Sequence, residues 1–444
     1  MNQITKSIRL TSLILLGLLL SNLTWAQQRL TLKEAVTYAV QNSVNVRKAK
    51  LDIDGGRYKT EEIRGQALPQ ITGNGSLTYN PIIGQLVVGD MSFQLGRNWN
   101  ASAGVQLSQQ LFNQTVFTGL KAAKTSESYY NLSANLTEEQ VIEQVANAYY
   151  QVLVNRQQLN VIDTNIKNVK IIQKIISNQY QNGLAKKIDV DRIKVNLTNL
   201  ETQREQTING VNQLENQLKF YMGMPVATEI VLPATELTEV QSSEIFPDSL
   251  NMKGRTEMQL LDIQRELLVL QRKAYLSEYY PNLSLTGNYS YTGQSDKFDL
   301  FKSKNSTAFW YDASAIGITL KVPIFNGFIT RSKVRQANVD ILKADEDRRQ
   351  TSNSLNLAYE NAKIQIRNSI NTINSQRQNV TLAQEIYKST QNNYNNGLAA
   401  LTDLLDTENA LTDAQNSYTQ ALLNYRIAEI QLIKSNGNIK SLLK

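Results

Sequence analysis

Two carboxylates raise the question of chemistry first. In "LTDLLD", Asp403 and Asp406 stand three residues apart, a spacing that puts both on one face of a helix. Paired carboxylates can carry out acid–base work on glycosidic bonds. These two belong to a solvated helix and not to pocket-forming, glycine-rich loops, so an enzyme is not expected. The remaining reactive inventory is sparse. The 444-residue chain contains neither His nor Cys, which removes the usual zinc sites, haem ligation, thiol catalysis and histidine acid–base chemistry. No cofactor or metal is expected, and the 6 Met residues give no sign of a metal relay.

The aspartates sit in a signature that the chain writes twice. "YNNGLAALTDLLDTENAL" begins at Tyr394 and "YQNGLAKKIDVDRIKVNL" at Tyr180. Gly183 and Gly397 can supply the positive φ that ends a helix, each preceded by an Asn. Asp189 and Asp403 then fall in the first turn of a following helix, where negative charge meets the dipole favourably. Other landmarks recur in the same order. Pro69 answers to Pro281, Phe112 to Phe325 and Tyr180 to Tyr394, at offsets of 212, 213 and 214 residues. The chain therefore reads as two structural repeats, 27–222 and 255–436. A segment over 223–254, broken by Gly223, Pro225, Pro233, Pro247 and Gly254, joins them, and a short tail follows over 437–444.

Each repeat passes through three textures. A polar helical stretch ends at the proline. Two alternating segments follow, about 71–79 and 99–110 in the first repeat and about 283–292 and 310–322 in the second. Leu283, Leu285, Tyr289 and Tyr291 share one face of the third, with Ser284, Thr286, Asn288 and Ser290 opposite. Such alternation over about ten residues marks a strand of the length that crosses a membrane at a tilt. The segments 80–98 and 293–309 read as loops. Long helical hairpins complete the repeats, over 113–222 and 327–436. Val145, Ala148, Val152, Asn155, Leu159, Ile162, Ile166, Val169, Gln173, Ile176 and Tyr180 form a heptad seam. A helix from Asn113 to Tyr180 would run ~100 Å at ~1.5 Å per residue.

The first residues and the charge set the compartment. Lys6 and Arg9 precede an apolar run from Leu10 to Leu20, with small residues before Gln27. This is the pattern of a cleaved signal peptide over 1–26, too short to span a membrane, and no cysteine at the cut could carry a lipid anchor. The net charge of +7 is spread along the chain, so nucleic acid is not expected as a partner. Four strands per chain cannot close a barrel, which needs about eight. Open edges in lipid cost several kcal/mol per unpaired group, so membrane-embedded strands require several chains in one barrel.

In the order and spacing of these parts the chain resembles the TolC family of outer-membrane efflux proteins. The resemblance covers essentially the whole mature sequence, including "LFN" and "IFNG" where strand enters helix and the two "YxNGL…D" tips. It implies a homotrimer with one twelve-stranded barrel in outer-membrane lipid and a periplasmic helical tunnel, girdled by the counterpart of 223–254 and the tail. The implied function is a passive exit duct for efflux or type I secretion, served by a periplasmic adaptor protein and an inner-membrane pump. The resemblance further assigns Asp403 and Asp406 to lumenal carboxylate rings that pinch the tunnel and attract cations. It pairs Tyr394 with Asp189 of the neighbouring hairpin as a tip latch; the family's tip arginine is replaced by Ala399, with Lys186 or Lys187 as candidate substitutes. Gly183, Leu184, Gly397 and Leu398 would meet the adaptor. The alternative from the residues alone is a secreted coiled-coil structural or adhesive rod, which leaves the amphipathic strands unexplained.

Overall fold

A computed structural model describes residues 28–233, 250–302 and 306–443. The expected signal peptide and the middle of the joining segment lie outside the described residues. In chain order the elements are β1 (Gln28–Arg29), α1 (Leu32–Asn42), α2 (Val44–Gly65), β2 (Gln70–Tyr79), β3 (Gln85–Val88), β4 (Met91–Gln94) and β5 (Trp99–Phe112). There follow α3 (Gln114–Gln181), α4 (Lys187–Met222), β6 (Ile230–Val231), α5 (Thr256–Ser277), β7 (Asn282–Ser295), β8 (Phe309–Lys321), α6 (Ile329–Asn395) and α7 (Leu401–Ser435). The duplication is visible in the lengths. α2 and α5 have 22 residues each, α3 and α6 have 68 and 67, and α4 and α7 have 36 and 35.

Local chemistry sets the boundaries. The Glu34 N–H donates to Thr31 Oγ1 at 3.3 Å while the Thr31 N–H donates to Glu34 Oε2 at 2.8 Å. This capping box starts α1 and is worth about 1 kcal/mol. The first polar stretch is two helices and not one, because Ser43 leaves helical geometry at ψ 133°. α2 stops at Gly65, ahead of Pro69, whose ring disfavours helix in the residue before it.

The chain forms two compact units, to both of which α3 and α6 contribute residues. One comprises Ala49–Asn135 and Lys253–Ser352 and carries a four-stranded antiparallel sheet in the order β2-β5-β7-β8. The β5–β7 ladder joins the repeats, with an irregularity between Gln110 and Phe112. β2 and β8 are the edges: β2 pairs only with β5 and β8 only with β7, and among the described residues no strand lies on the outer side of either. The apolar face is bare: Ile71 is 70% exposed, Ile316 86% and Ile318 66%. The segment expected as a loop over 80–98 contains a further hairpin, β3 with β4. Gly89, at φ 63°, makes the tight turn between Val88 and Met91.

The other unit comprises Met1–Lys48, Leu136–Met252 and Asn353–Lys444. Its larger core gathers Val36 and Ala39 of α1, Ile142, Tyr149 and Val152 of α3, Leu218 and Met222 of α4, and Ala428 and Ile430 of α7. The Tyr149 hydroxyl donates to the Leu30 carbonyl at 3.0 Å, and β1 pairs parallel with β6 of the joining segment. The ion pairs Lys434–Glu143 (2.7 Å) and Lys440–Glu138 (3.2 Å) hold the C-terminal residues against α3. Along α3 the buried surface is wider than one heptad seam. Ala146, Leu153, Val154 and Ile172 are buried beside Val145, Val152 and Val169, whereas Tyr180, the last seam position, is exposed.

Candidate functional site: the hairpin tips

Both helical hairpins turn by the same backbone device. The Leu184 N–H donates to the Gln179 carbonyl at 2.8 Å and the Gly183 N–H to Tyr180 at 3.0 Å. In the second tip Leu398 donates to Asn393 at 2.8 Å and Gly397 to Tyr394 at 3.0 Å. These are Schellman motifs, which place one residue in the left-handed region; Gly183 and Gly397 take φ 74° and 75°. Asn182 and Asn396 each donate a side-chain N–H to the carbonyl four residues back, both at 2.8 Å.

The returning helices start differently. Asp189 lies in the first turn of α4 and faces Arg192 at 3.9 Å. In α7 the Ala400 N–H donates to Asp403 Oδ2 at 3.0 Å. Ala400 has no side-chain acceptor, so only the carboxylate half of a capping box is present. Asp403 and Asp406 are both exposed, and neither forms an ion pair among the described residues. Asp403 thus has a structural task besides any other, whereas Asp406 has none among the described residues.

The tips close over a small core drawn from all four long helices. Ile166, Val169 and Ile176 of α3, Ile193 and Leu197 of α4, Tyr387 of α6, and Leu401, Leu404 and Leu405 of α7 are buried together. Tyr394 packs half-buried against this cluster. Burial raises its phenol pKa, and the nearby Asp189 carboxylate raises it further. The two expected latch residues are therefore neighbours within one chain, and no hydrogen bond joins them there. Lys186 and Lys187 are exposed and form no ion pair among the described residues. Leu184 and Leu398 are 80% and 79% exposed, so neither staples its own turn.

Sequence reasoning missed Glu408. It lies 3% exposed on the core face of α7, and among the described residues neither carboxyl oxygen has a hydrogen-bond partner. Nothing in the local string "DTENAL" distinguishes it from the solvated acids around it. Its burial comes from the partner helices.

At the sheet, aromatic side chains collect at both ends of the strands. Tyr79, Trp99 and Phe298 form one cluster of tilted rings, with centroids 4.7 and 4.6 Å apart, and Tyr291 stacks on Trp310 at 4.9 Å. At the opposite end Phe112 meets Phe117 and Phe325 meets Phe328. Between these collars β2 spans 10 residues, about 25 Å of height at ~3.3 Å per residue and a tilt of ~40°. That matches the apolar band of a membrane barrel. Among the described residues no helix is long and apolar enough to cross a membrane.

The sequence model of the outer membrane efflux protein family matches residues 35–224 and 256–438. The chain belongs to the outer membrane efflux protein family. Its two matched segments coincide with the two repeats. Among its relatives is outer membrane protein TolC of Escherichia coli (strain K12), 24% identical over 445 residues, covering 96% of this chain and 86% of the relative. The alkaline protease secretion protein AprF of Pseudomonas aeruginosa is 21% identical over 409 residues, covering 89% and 82%. The solved CmeC outer membrane channel of Campylobacter jejuni shares the fold with a TM-score of 0.73 at 15% identity, over 92% of this chain and 85% of that one. This member of the efflux family is accordingly an outer-membrane exit duct, extending into the periplasm. A secreted rod has no support.

Proposed function

We propose that three copies of this chain share one barrel and form a passive duct, gated at its helical tips, for a periplasmic adaptor protein and an inner-membrane pump. The observation that carries the reading is the four-stranded antiparallel sheet with an apolar outer face and two unpaired edges. Strand directions alternate across it, so β8 of one chain can pair antiparallel with β2 of the next, and three sheets close twelve strands. Catalysis has no part in this scheme; transport energy comes from the pump.

Asp403 and Asp406, exposed one turn apart on α7, would under threefold symmetry form two stacked carboxylate rings in the lumen. Such rings attract cations and resist anions at a constriction. Tyr394 and Asp189 brace the tip where hairpins meet. Gly183, Leu184, Gly397 and Leu398 offer the adaptor two glycine turns and two bare leucines, whose exposure supports a contact outside the chain.

The test is the reversal potential of single channels in a planar bilayer under a salt gradient. The wild type is expected to show a small, cation-selective conductance. Asp403→Asn with Asp406→Asn should raise the conductance and lose most of the selectivity. Selectivity unchanged in the double variant would discard the carboxylate gate while keeping the duct.

A further inference from the structure

Glu408 takes the core step of α7 between Leu405 and Leu411, within the cluster that closes the tips. It is 3% exposed, and among the described residues neither of its oxygens has a hydrogen-bond partner. A buried carboxylate without partners is among the most costly groups a core can hold, unless it stays protonated. Among the described residues no cation pairs with it. α6 presents the Tyr387 phenol, 8% exposed. α3 presents Asn165, 5% exposed, whose side-chain N–H donates to Thr412 Oγ1. α4 brings Ile193 and Leu197 to the cluster, while its arginines are engaged elsewhere, Arg192 with Asp189 and Arg204 with Asp163. On α7 itself Asp406 and Asp403 point to solvent.

We propose that Glu408 is a proton-binding element of the tip bundle: it packs as the neutral acid, and its ionisation loosens the seam of α3, α6 and α7 that holds the tip together. Burial pushes its pKa up to about 7. The Tyr387 phenol beside it is raised to about 12, first by burial and then by the Glu408 charge, so this neighbour stays neutral throughout. The sign follows from linkage. The packed tip binds a proton more tightly than the loosened tip, where Glu408 is solvated near its ordinary 4.5. Packing is therefore fully favoured below about pH 4.5, loses ground between there and about pH 7, and is least favoured above. Acid holds the tip shut; neutral and alkaline conditions ease it open.

The inference rests on the duct reading, and two measurements separate them. The first is the infrared band of a protonated carboxyl in the full, detergent-extracted protein at about pH 5.5. It is expected in the wild type and lost in Glu408→Gln. The second is single-channel open probability between about pH 5 and pH 8. The wild type should rise several-fold, while Glu408→Gln, which mimics the neutral acid, should stay at the acid level throughout. Glu408→Leu should behave like Glu408→Gln and guards against a defect peculiar to the amide. A wild type without the Gln-sensitive band, or identical pH profiles in all three proteins, would overturn the proposal. No conductance in any of them would sink the duct reading and the gating role with it, and the band would still report whether Glu408 holds its proton.

Discussion

At the residue scale, three glycines look alike in the sequence and differ in what they would cost to replace. An added Cβ at Gly183 or Gly397 meets nothing within 4 Å, so Gly→Ala there costs only the left-handed backbone, about 1–2 kcal/mol. The expected outcome is faster hydrogen exchange confined to the altered tip, with assembly intact. At Gly223 the φ is 73° and a Cβ would also sit 2.5 Å from the Asn42 carbonyl oxygen. Gly223→Ala should therefore reduce the yield of folded protein, which extraction and gel filtration would measure. Asp299 gives a second residue-scale prediction. It accepts from Ser295 Oγ and from the Thr307 N–H at 2.7 Å, and these bonds hold its pKa at about 2 against an ordinary 3.8. Its hold on the β7–β8 loop is thus complete above about pH 4 and fades as pH falls through 2. Acid-active protease should cut that loop in Asp299→Asn already at pH 4, where the wild type is still protected. The glycines and first-turn aspartates could be read from local chemistry. Glu408 and Asp299 could not, because burial and loop closure are properties of distant segments.

At the scale of elements, period two identified the four membrane strands to within a few residues, and an unbroken run without proline identified the long helices. What escaped was the β3–β4 hairpin. Its strands are 4 residues each, too short for alternation to stand out, although Gly-Asp between Val88 and Met91 is the kind of pair that turns a tight hairpin. The break at Ser43 also escaped, since Ser is tolerated inside helices and no glycine or proline marks the site. The strand faces carry a prediction of their own. Ile316, 86% exposed in the single chain, lies on the apolar face, and Ile316→Lys should cost about 2–4 kcal/mol near the bilayer midplane. Thr319→Lys, on the opposite face of β8, should cost little. The fraction running as assembled oligomer on unheated gels should fall for the first and stay level for the second.

At the scale of the molecule, two copies of one unit were legible because three landmarks kept nearly constant offsets. The number of chains was not, since open edges demand partners without counting them. The absence of cysteine makes that count directly accessible. Thr72 on β2 and Thr319 on β8 lie near the same end of the sheet, by the register of Thr72 with Gln106 and of Thr319 with Ser284. A chain carrying both Thr72→Cys and Thr319→Cys, oxidised in the membrane and run on a denaturing gel, should give covalent dimers and trimers and stop there. Each single variant should give monomer. A ladder that continues past three, or monomer alone when Thr72→Cys is paired in turn with Ala315→Cys, Gly317→Cys and Thr319→Cys, would contradict a barrel shared by three chains.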